Sequence, residues 1–241
     1  MKQEARFRLA MLEDSYRHKG LRKKLIDDLK RMGITNQRVL DAIYAVPRHY
    51  FLSSAFLEFA YDNKAFQIGV GQTISHPFTV ATQSSLLQLE PGMKVLEIGT
   101  GSGFQCAVLC ELGAKVYSIE RQQVLYKNAK ALLEKMGYKP FLSYGDGFKG
   151  LPAFGPFDRI IFTCAVPNLP NELLMQLKPG GLLVMPFGEG DIQKMMVVKE
   201  EEDGNFTTSY HGEFSFVPML EKRTSASDSV HKLPSRSVTR N

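Results

Sequence analysis

Short apolar segments alternate with amphipathic ones from residue 77 to residue 186, and this alternation restricts the chain to a small group of folds. The apolar segments predict five β-strands, at residues 94–98, 115–120, 140–143, 158–163 and 181–186. Segments of helical spacing lie before and between them, at residues 80–89, 105–112, 122–136 and 171–177. Strands joined by helices of this length lie parallel, because each connection must cross the sheet. The sequence therefore predicts an α/β fold with a mostly parallel sheet.

The segment after residue 186 departs from this alternation. Residues 194–199 and 207–216 both have the composition of strands, and Asp203-Gly204-Asn205 between them is typical of a tight turn. The parallel sheet is therefore expected to end in an antiparallel hairpin.

The segment before residue 77 is predicted to be helical and then irregular. An amphipathic stripe over residues 21–32 indicates one helix, and Asn36 can cap a second, shorter helix that ends at Pro47. We expect residues 1–76 to form a helical segment with loops packed on a core of residues 77–221. Residues 222–241 are basic and poor in apolar side chains, which is typical of a disordered tail.

The charge of this 241-residue chain, +5 in all, lies at its two ends. Residues 1–31 hold ten Lys and Arg against five Asp and Glu, whereas residues 32–220 hold 15 against 18. Basic ends occur in nucleic-acid-binding arms, but solvated helix faces explain this distribution more simply. The sequence has no apolar run long enough to cross a bilayer and no secretory signal. A soluble, cytoplasmic monomer with no specific nucleic-acid partner and no membrane partner is expected.

The cysteines and histidines show no metal-binding spacing. The three cysteines, Cys106, Cys110 and Cys164, form no CxxC pair, and an odd number without an export signal indicates reduced, buried side chains. His18, His211 and His231 have no spacing partner and are taken as surface or structural residues. No metal is predicted.

A glycine-rich loop is the strongest local signal in the predicted core. The strand ending at Ile98 is followed by Gly99, Gly101 and Gly103, and then directly by a helix. Glycines at the carboxyl end of a strand let a ligand approach the backbone closely. Glu120 ends the next strand, where its carboxylate can accept hydrogen bonds from ribose hydroxyls. These features predict a ligand that contains adenosine.

The loop alone leaves the identity of that ligand open. A dinucleotide fingerprint has the form G-x-G-x-x-G, and its last glycine would fall at Phe104. S-adenosylmethionine has no pyrophosphate, and its positively charged end suits a loop entered by an acidic residue, here Glu97. We favour the methyl donor over a nicotinamide, while glycines that serve only turn geometry remain an alternative. Asp146 and Gly147 follow the third strand and either contact the adenine or form an ordinary turn.

Small and hydroxyl-bearing residues precede the helix that begins near Pro77. Thr73 or Ser75 could cap this helix, with Pro77 in its first turn. Capping requires one hydroxyl only, whereas a helix N-terminus with several hydroxyls can also bind a carboxylate.

The order of these motifs resembles the protein-L-isoaspartate O-methyltransferase family of class I methyltransferases. The resemblance covers about residues 21–220 and rests on stretches at residues 46–48, 71–77, 95–105, 116–121, 146–152, 156–158, 176–181 and 216–218. The residues Thr73-Ile74-Ser75 and Val217-Pro218 are its most specific part. The chain departs from the family pattern in its early N-terminal helix, at Cys106 and Cys164, and in its basic tail.

This resemblance implies a Rossmann-like sandwich that binds S-adenosylmethionine. The implied reaction is methyl transfer to the free α-carboxylate of L-isoaspartyl residues in damaged proteins and peptides, which initiates their repair. By analogy Ser75 is the active-site residue, and the substrate lies against Thr73, Ile74 and Val217. The predicted cofactor-binding residues are Glu97, Gly99, Thr100, Gly101, Gly103, Glu120, Arg121, Asp146 and Gly147.

The missing catalytic base agrees with this reaction. A carboxylate with a pKa near ~4 is already a nucleophile at neutral pH, so no His–Asp or Cys–His pair is needed. Two alternatives remain: a methyltransferase of the same fold that acts on RNA or a small molecule, and a non-catalytic binder of damaged peptides.

Overall fold

The computed structural model describes residues 13–201 and 203–220, which form α-helices around a large β-sheet. The helices are α1 (Tyr16–Arg31), α2 (Gln37–Ala45), α3 (Pro77–Leu86), α4 (Phe104–Glu111), α5 (Gln123–Lys135) and α6 (Asn171–Leu174). The strands are β1 (Phe66–Gly69), β2 (Gln72–Ile74), β3 (Lys94–Ile98), β4 (Lys115–Glu120), β5 (Phe141–Tyr144), β6 (Phe157–Phe162), β7 (Leu177–Phe187), β8 (Gln193–Glu200) and β9 (Phe206–Phe214). Short 3₁₀ turns lie at Arg48–Phe51, Ser54–Phe59, Gly147–Lys149 and Pro152–Phe154.

The large sheet confirms the predicted α/β fold. Its strand order is β5-β4-β3-β6-β7-β8-β9. Neighbouring strands from β5 to β7 are parallel, whereas β8 pairs antiparallel with both β7 and β9. The mostly parallel sheet therefore ends in the antiparallel hairpin that the turn at residues 203–205 predicted.

Residues 48–77 agree with the expected loops and short pieces of structure, which are two 3₁₀ turns and a small hairpin in which β1 and β2 pair antiparallel. One local element differs from the sequence-based prediction. The predicted helix over residues 171–177 is only four residues long, because Leu177 already pairs with Phe157 as the first residue of β7. Sheet pairing thus outweighs helical spacing at this point.

Apolar side chains cover both faces of the sheet. Val95 of β3 belongs to an apolar cluster with residues of α1, α2 and α4. Leu96 and Ile98 of the same strand belong to a second cluster, which includes Leu173 of α6. Burial on both faces explains why the sequence of such a strand is mostly apolar along its length and does not alternate between apolar and polar residues. The N-terminal helices therefore belong to the same apolar cluster as one face of the sheet.

The predicted domain boundary at residue 76 stays a prediction, and the predicted tail at residues 222–241 lies outside the described residues. None of the described helices combines the length and the apolar character needed to span a bilayer.

The strand order determines where a ligand can bind. The chain winds from β3 to β4 and β5 on one side, and β6 lies on the other side of β3. In open α/β sheets, ligands bind at the carboxyl ends of the strands where the order reverses in this way. The loops after β3 and β6 form this crevice.

Candidate active site

The glycine-rich loop, residues 99–103, joins β3 to α4 at the carboxyl edge of the sheet. Gly99 has a φ of +100°, and its N–H donates to the carbonyl of Ile119 on β4 at 2.9 Å. A Cβ atom at this position would lie 2.5 Å from the hydroxyl oxygen of Thr163, the residue that follows β6. The loop therefore requires glycine here, both for its backbone conformation and for its close contact with the neighbouring strand.

The Glu120 carboxylate, at the end of β4, holds this loop in place. Its Oε2 accepts from the N–H of Gly101 at 2.8 Å, and its Oε1 accepts from the N–H of Gln122 at 2.7 Å. Burial raises the pKa of Glu120, and the backbone donors oppose this shift. The backbone N–H of Arg121 is a further donor to this carboxylate, whose two oxygens together offer about four lone pairs, so the backbone contacts leave some acceptor capacity for a ligand.

Two adjoining cavities open beside the loop. The Gly147 cavity is lined by Ile98, Glu120, Arg121, Gly147 and Met219, among others. The Ser75 cavity is lined by Thr73, Ile74, Ser75, Thr100, Gly101 and Val217, among others. Gln72, Gly99, Glu120 and Cys164 line both. The structure thus brings together most of the residues that the sequence singled out.

Gly147 lies in the wall of the Gly147 cavity, whereas Asp146, which precedes it in the turn, is not among the described residues that line either cavity. Gly147 is buried, and a Cβ atom there would lie 2.6 Å from Ile98 and 3.2 Å from Met219. Asp146 caps the turn, because its Oδ1 accepts from the N–H of Phe148 at 3.0 Å. The ordinary turn-forming role of Asp146 is therefore present, and it uses only one of the two carboxylate oxygens.

Glu97 and Gly103 lie behind the loop and line neither cavity. The Glu97 side chain is fully buried, and its Oε2 accepts from Ser118 Oγ at 2.5 Å. Burial raises the pKa of Glu97 to about 8. Gly103 is the N-cap residue of α4, where a Cβ atom would lie 3.2 Å from Leu133 of α5. The positions of both residues support the loop from inside the protein.

Ser75 faces its cavity because another residue caps α3. The residue before the helix is His76, and Pro77 occupies the first turn as predicted. The N–H of Phe78 donates to the side-chain oxygen of Asn63 at 2.9 Å, so neither Thr73 nor Ser75 supplies the cap. The capping alternative for these hydroxyls was wrong, since a residue distant in sequence takes that role.

The opposite wall of the Ser75 cavity is held by the segment 217–219. The N–H of Ala165 donates to the carbonyl of Val217 at 2.8 Å, and the N–H of Met219 donates to the carbonyl of Ala165 at 2.8 Å. These two bonds fix Val217 in the wall of the cavity that Thr73-Ile74-Ser75 also lines. They also bring Met219 to the wall of the Gly147 cavity.

Several residues that line the cavities were missed from the sequence. Thr163 and Cys164 follow β6, and the rule that carboxyl ends of parallel strands meet could have found them. Gln72 lines both cavities, and Gln105 of α4 lines the Ser75 cavity, with Oε1 lacking a partner among the described residues. Both glutamines lie in stretches that support the family resemblance, residues 71–77 and 95–105, but no local pattern assigns their side chains to the site.

The chemistry of the cavity walls excludes a protein nucleophile at neutral pH. Burial raises the pKa of Cys164 to about 12, so its thiol stays protonated. No histidine or lysine is among the described residues that line either cavity. The walls offer mainly hydroxyls, backbone groups and one carboxylate, so they bind and orient reactants that bring their own nucleophile and electrophile.

Comparisons with known proteins agree with this geometry. Residues 20–224 match the model of the family described as protein-L-isoaspartate(D-aspartate) O-methyltransferase. A protein-L-isoaspartate O-methyltransferase of Christiangramia forsetii is 52% identical over 88% of this chain and 100% of its own length. A protein of the same name from Cytophaga hutchinsonii is 54% identical over 88% of this chain and 96% of its own length.

Solved structures of the same name share the fold. One protein-L-isoaspartate O-methyltransferase superposes with a TM-score of 0.74 at 29% identity, over 82% of this chain and 65% of that longer chain. A structure of a putative protein-L-isoaspartate O-methyltransferase from Plasmodium falciparum, in complex with S-adenosyl-L-homocysteine, gives a TM-score of 0.72 at 22% identity, over 82% of this chain and 97% of that chain. The sequence matches and the fold lead to one conclusion: the chain belongs to the protein-L-isoaspartate(D-aspartate) O-methyltransferase family.

Proposed function

We propose that this protein methylates the free α-carboxylate of L-isoaspartyl residues in damaged proteins and peptides, with the substrate in the Ser75 cavity and the methyl donor extending into the Gly147 cavity. As a member of its family, the chain is an S-adenosylmethionine-dependent methyltransferase that initiates the repair of such residues. One observation carries the assignment of the two cavities. They meet at Gly99 and Glu120, so a donor in one and an acceptor in the other come into contact at a single place.

The Gly147 cavity fits the adenosine end of the donor. A side chain at position 147 would collide with Ile98, so only a glycine keeps this backbone close to the cavity. Glu120 retains acceptor capacity for a ribose hydroxyl beside its backbone donors, and Arg121 lines the same wall. Gly99, Thr100 and Gly101 then lie along the remainder of the donor. When bound, S-adenosylmethionine supplies a methyl group activated by a positively charged sulfur.

The Ser75 cavity fits a carboxylate on a peptide. The Ser75 hydroxyl donates to one carboxylate oxygen and fixes the direction of the other, while Thr73 and Ile74 line the same wall. Val217 meets the peptide from the opposite side, where its bond to Ala165 holds it in place. The carboxylate is ionised at neutral pH, so the protein contributes position and exclusion of water rather than a base.

Glu97, Gly103 and Asp146 contribute to donor binding through the loops that they support. Glu97 connects through Ser118 to the Thr100 hydroxyl, with Ser118 Oγ and Thr100 Oγ1 2.6 Å apart. Asp146 fixes the turn that presents Gly147.

The protein is further proposed to work as a monomer in the cytoplasm, without a nucleic-acid or membrane partner. Two basic side chains of α1 form ion pairs within the protein, the buried Arg22 with Asp14 at 2.7 Å and the exposed Arg31 with Asp28. The pair of Arg31 supports a solvated helix face, whereas Arg22 belongs to the interior.

The experiment that tests the function compares two peptides of identical sequence, one with L-isoaspartate and one with L-aspartate. They differ only in which carboxyl group is free, so labelled S-adenosylmethionine measures recognition of the damaged residue. We expect base-labile label in the isoaspartyl peptide only. Label in neither peptide, with donor binding intact, would contradict the substrate assignment and keep the cofactor assignment. The same assay with RNA in place of the peptides tests the nucleic-acid alternative, which label in the RNA would favour.

A further inference from the structure

A second cluster of polar side chains lies apart from the two cavities, where the start of α1 meets the 3₁₀ turn Arg48–Phe51. Asp14, His18 and His49 each offer one ligand atom there, and these atoms lie within 4.8 Å of one another. His49 is buried, with an exposed fraction of 1%, while Asp14 and His18 are half-buried. The spacing of these residues along the chain indicates no metal site, because His49 comes from a separate element.

Each of the three side chains is already oriented by a second contact. His18 Nδ1 lies 3.0 Å from the carbonyl oxygen of Glu13, which can only accept, so Nδ1 carries the proton and Nε2 has a lone pair. Asp14 Oδ2 accepts from Arg22 at 2.7 Å. Metal-binding histidines and carboxylates are usually oriented in this way by a partner on their other atom.

His49 also has an outer partner on Nδ1, in this case a tyrosine. Its Nδ1 lies 2.6 Å from the Tyr61 hydroxyl, which can accept or donate, and metal binding requires the tautomer in which Nδ1 donates to Tyr61 and Nε2 has the lone pair. The Tyr61 hydroxyl in turn lies 3.5 Å from Arg22, the residue that holds Asp14. The outer contacts of His49 and Asp14 are therefore parts of one connected set.

The remaining atoms of two of these side chains have no partner. His49 Nε2 and Asp14 Oδ1 are buried and make no hydrogen bond to the described residues. A buried polar atom without a partner costs about 1–3 kcal/mol, so such atoms are rare in proteins and call for a ligand. Arg22 Nε is a third such atom in the same cluster, and as a donor it cannot bind a cation. His49 Nε2 and Asp14 Oδ1 indicate that a ligand with positive charge belongs between their two side chains.

We propose that Asp14, His18 and His49 bind one divalent ion of the zinc type, with water as the fourth ligand. Two imidazole nitrogens and one carboxylate oxygen suit Zn²⁺ or Co²⁺, whereas Mg²⁺ and Ca²⁺ prefer oxygen ligands throughout. The site has a structural role and takes no part in methyl transfer, which needs no metal.

Binding requires a small closure of the cluster. Tetrahedral Zn²⁺ with bonds of about 2.0–2.1 Å places its ligand atoms roughly 3.3 Å apart, closer than the present spread. The rings of His18 and His49 are stacked, with centroids 3.8 Å apart and planes at 26°, so one ring must tilt for both nitrogens to face one ion. His18 is the ring that moves, because it lies half-exposed in the first turn of α1 while His49 is buried.

The metal would join the start of α1 to the body of the protein near the active site. Phe51, in the same turn as His49, packs edge-on against Phe104 with ring centroids 5.5 Å apart. Phe104 also lines the Ser75 cavity. A bound ion therefore stabilises the support of that cavity without contacting the reactants.

The test is a titration of the untagged, chelator-treated full chain with Co²⁺ and with Zn²⁺, followed by absorption and by calorimetry. We expect one equivalent to bind, a visible Co²⁺ band of tetrahedral intensity, and a rise in Tm of several degrees. The variant His18→Ala should lose affinity at least tenfold. The matched control is His211→Ala, which removes an exposed imidazole on β9 that lies beside Ser209.

A second variant distinguishes loss of the metal site from loss of folding. Asp14→Asn keeps the size of the side chain and should also bind Co²⁺ at least tenfold more weakly, with an unchanged circular dichroism spectrum. Equal affinity in His18→Ala and His211→Ala would overturn the proposal, as would the absence of binding at millimolar metal. Thiolate-to-cobalt charge-transfer absorption would assign the ion to cysteine and would overturn it too.

Discussion

The N–H of Gly101 donates to Glu120 Oε2 at 2.8 Å, which ties the glycine-rich loop to the end of the next strand. The same carboxylate accepts from the N–H of Gln122 through its other oxygen. Glu120 therefore has two functions: it holds the loop in shape, and it lines the place where the two cavities meet. Any substitution that changes one of its oxygens affects the loop and the ligand together.

Glu120→Gln should weaken binding of S-adenosylmethionine by about 10- to 100-fold, because the new amide group turns its own N–H donors towards a backbone N–H and removes one acceptor from the ribose. Calorimetric titration with S-adenosylhomocysteine measures this directly. Glu134→Gln is the matched control, since Glu134 is exposed on α5. Equal affinity in the two variants would contradict the role of Glu120.

Ser75→Ala should lower turnover of the isoaspartyl peptide by about 10- to 100-fold, the effect expected from losing a hydrogen bond to a charged group. The affinity for the donor should change less than about twofold, because Ser75 belongs to the substrate side. Steady-state kinetics and donor titration separate the two effects. Ser85→Ala serves as the control, since Ser85 Oγ donates to the carbonyl of Ala81 within α3. Equal losses of turnover and donor affinity would contradict the assignment of Ser75 to substrate binding.

Much of the fold could be predicted from the sequence because the strands of the sheet are apolar and the helices between them amphipathic. β1 and β2 were not assigned individually, because strands of four and three residues are too short for a periodic pattern, even though β1 alternates over Phe66–Gly69. The end of the helix near residue 174 depends on the pairing of Leu177 with Phe157, which no local pattern reveals.

The site was predictable to the extent that topology determines it. Gly99, Glu120 and Gly147 end up together because each lies at the end of a parallel strand or just after it, and the carboxyl ends of such strands share one edge. Glu97 is different, since a pattern of residue types does not tell whether a side chain faces a ligand or the interior. The capping of α3 by Asn63 depends on a contact between distant segments and was invisible for that reason.

Gly99→Ala should destabilise the protein by about 2–4 kcal/mol and abolish donor binding, because the new Cβ collides with Thr163 at a position of positive φ. Gly137→Ala separates these causes. Gly137 has a φ of +86° after α5, and no atom lies within 4 Å of the place that a Cβ would occupy, so only the backbone cost of about 1 kcal/mol applies. Urea unfolding and donor titration of both variants provide the comparison. Similar losses in both would mean that contact with Thr163 is unimportant.

Glu97→Gln should stabilise the protein, relative to the wild type, increasingly as the pH rises. Burial raises the pKa of Glu97 from 4.5 to about 8, so the folded state keeps a proton that the unfolded state releases. The wild-type protein therefore has its full stability from this group below about pH 4.5 and loses it progressively up to about pH 8, at no more than about 1.4 kcal/mol per pH unit. Glutamine does not titrate, so the variant escapes this loss.

Unfolding free energies of the wild type and of Glu97→Gln, measured without the donor from about pH 5 to about pH 8.5, test this difference. We expect the two curves to diverge with rising pH in favour of the variant. Glu189→Gln, on an exposed loop between β7 and β8, should follow the wild type at every pH. Parallel curves for Glu97→Gln and the wild type would mean that Glu97 is ionised in the folded protein, because only a proton retained on folding makes the stability difference depend on pH.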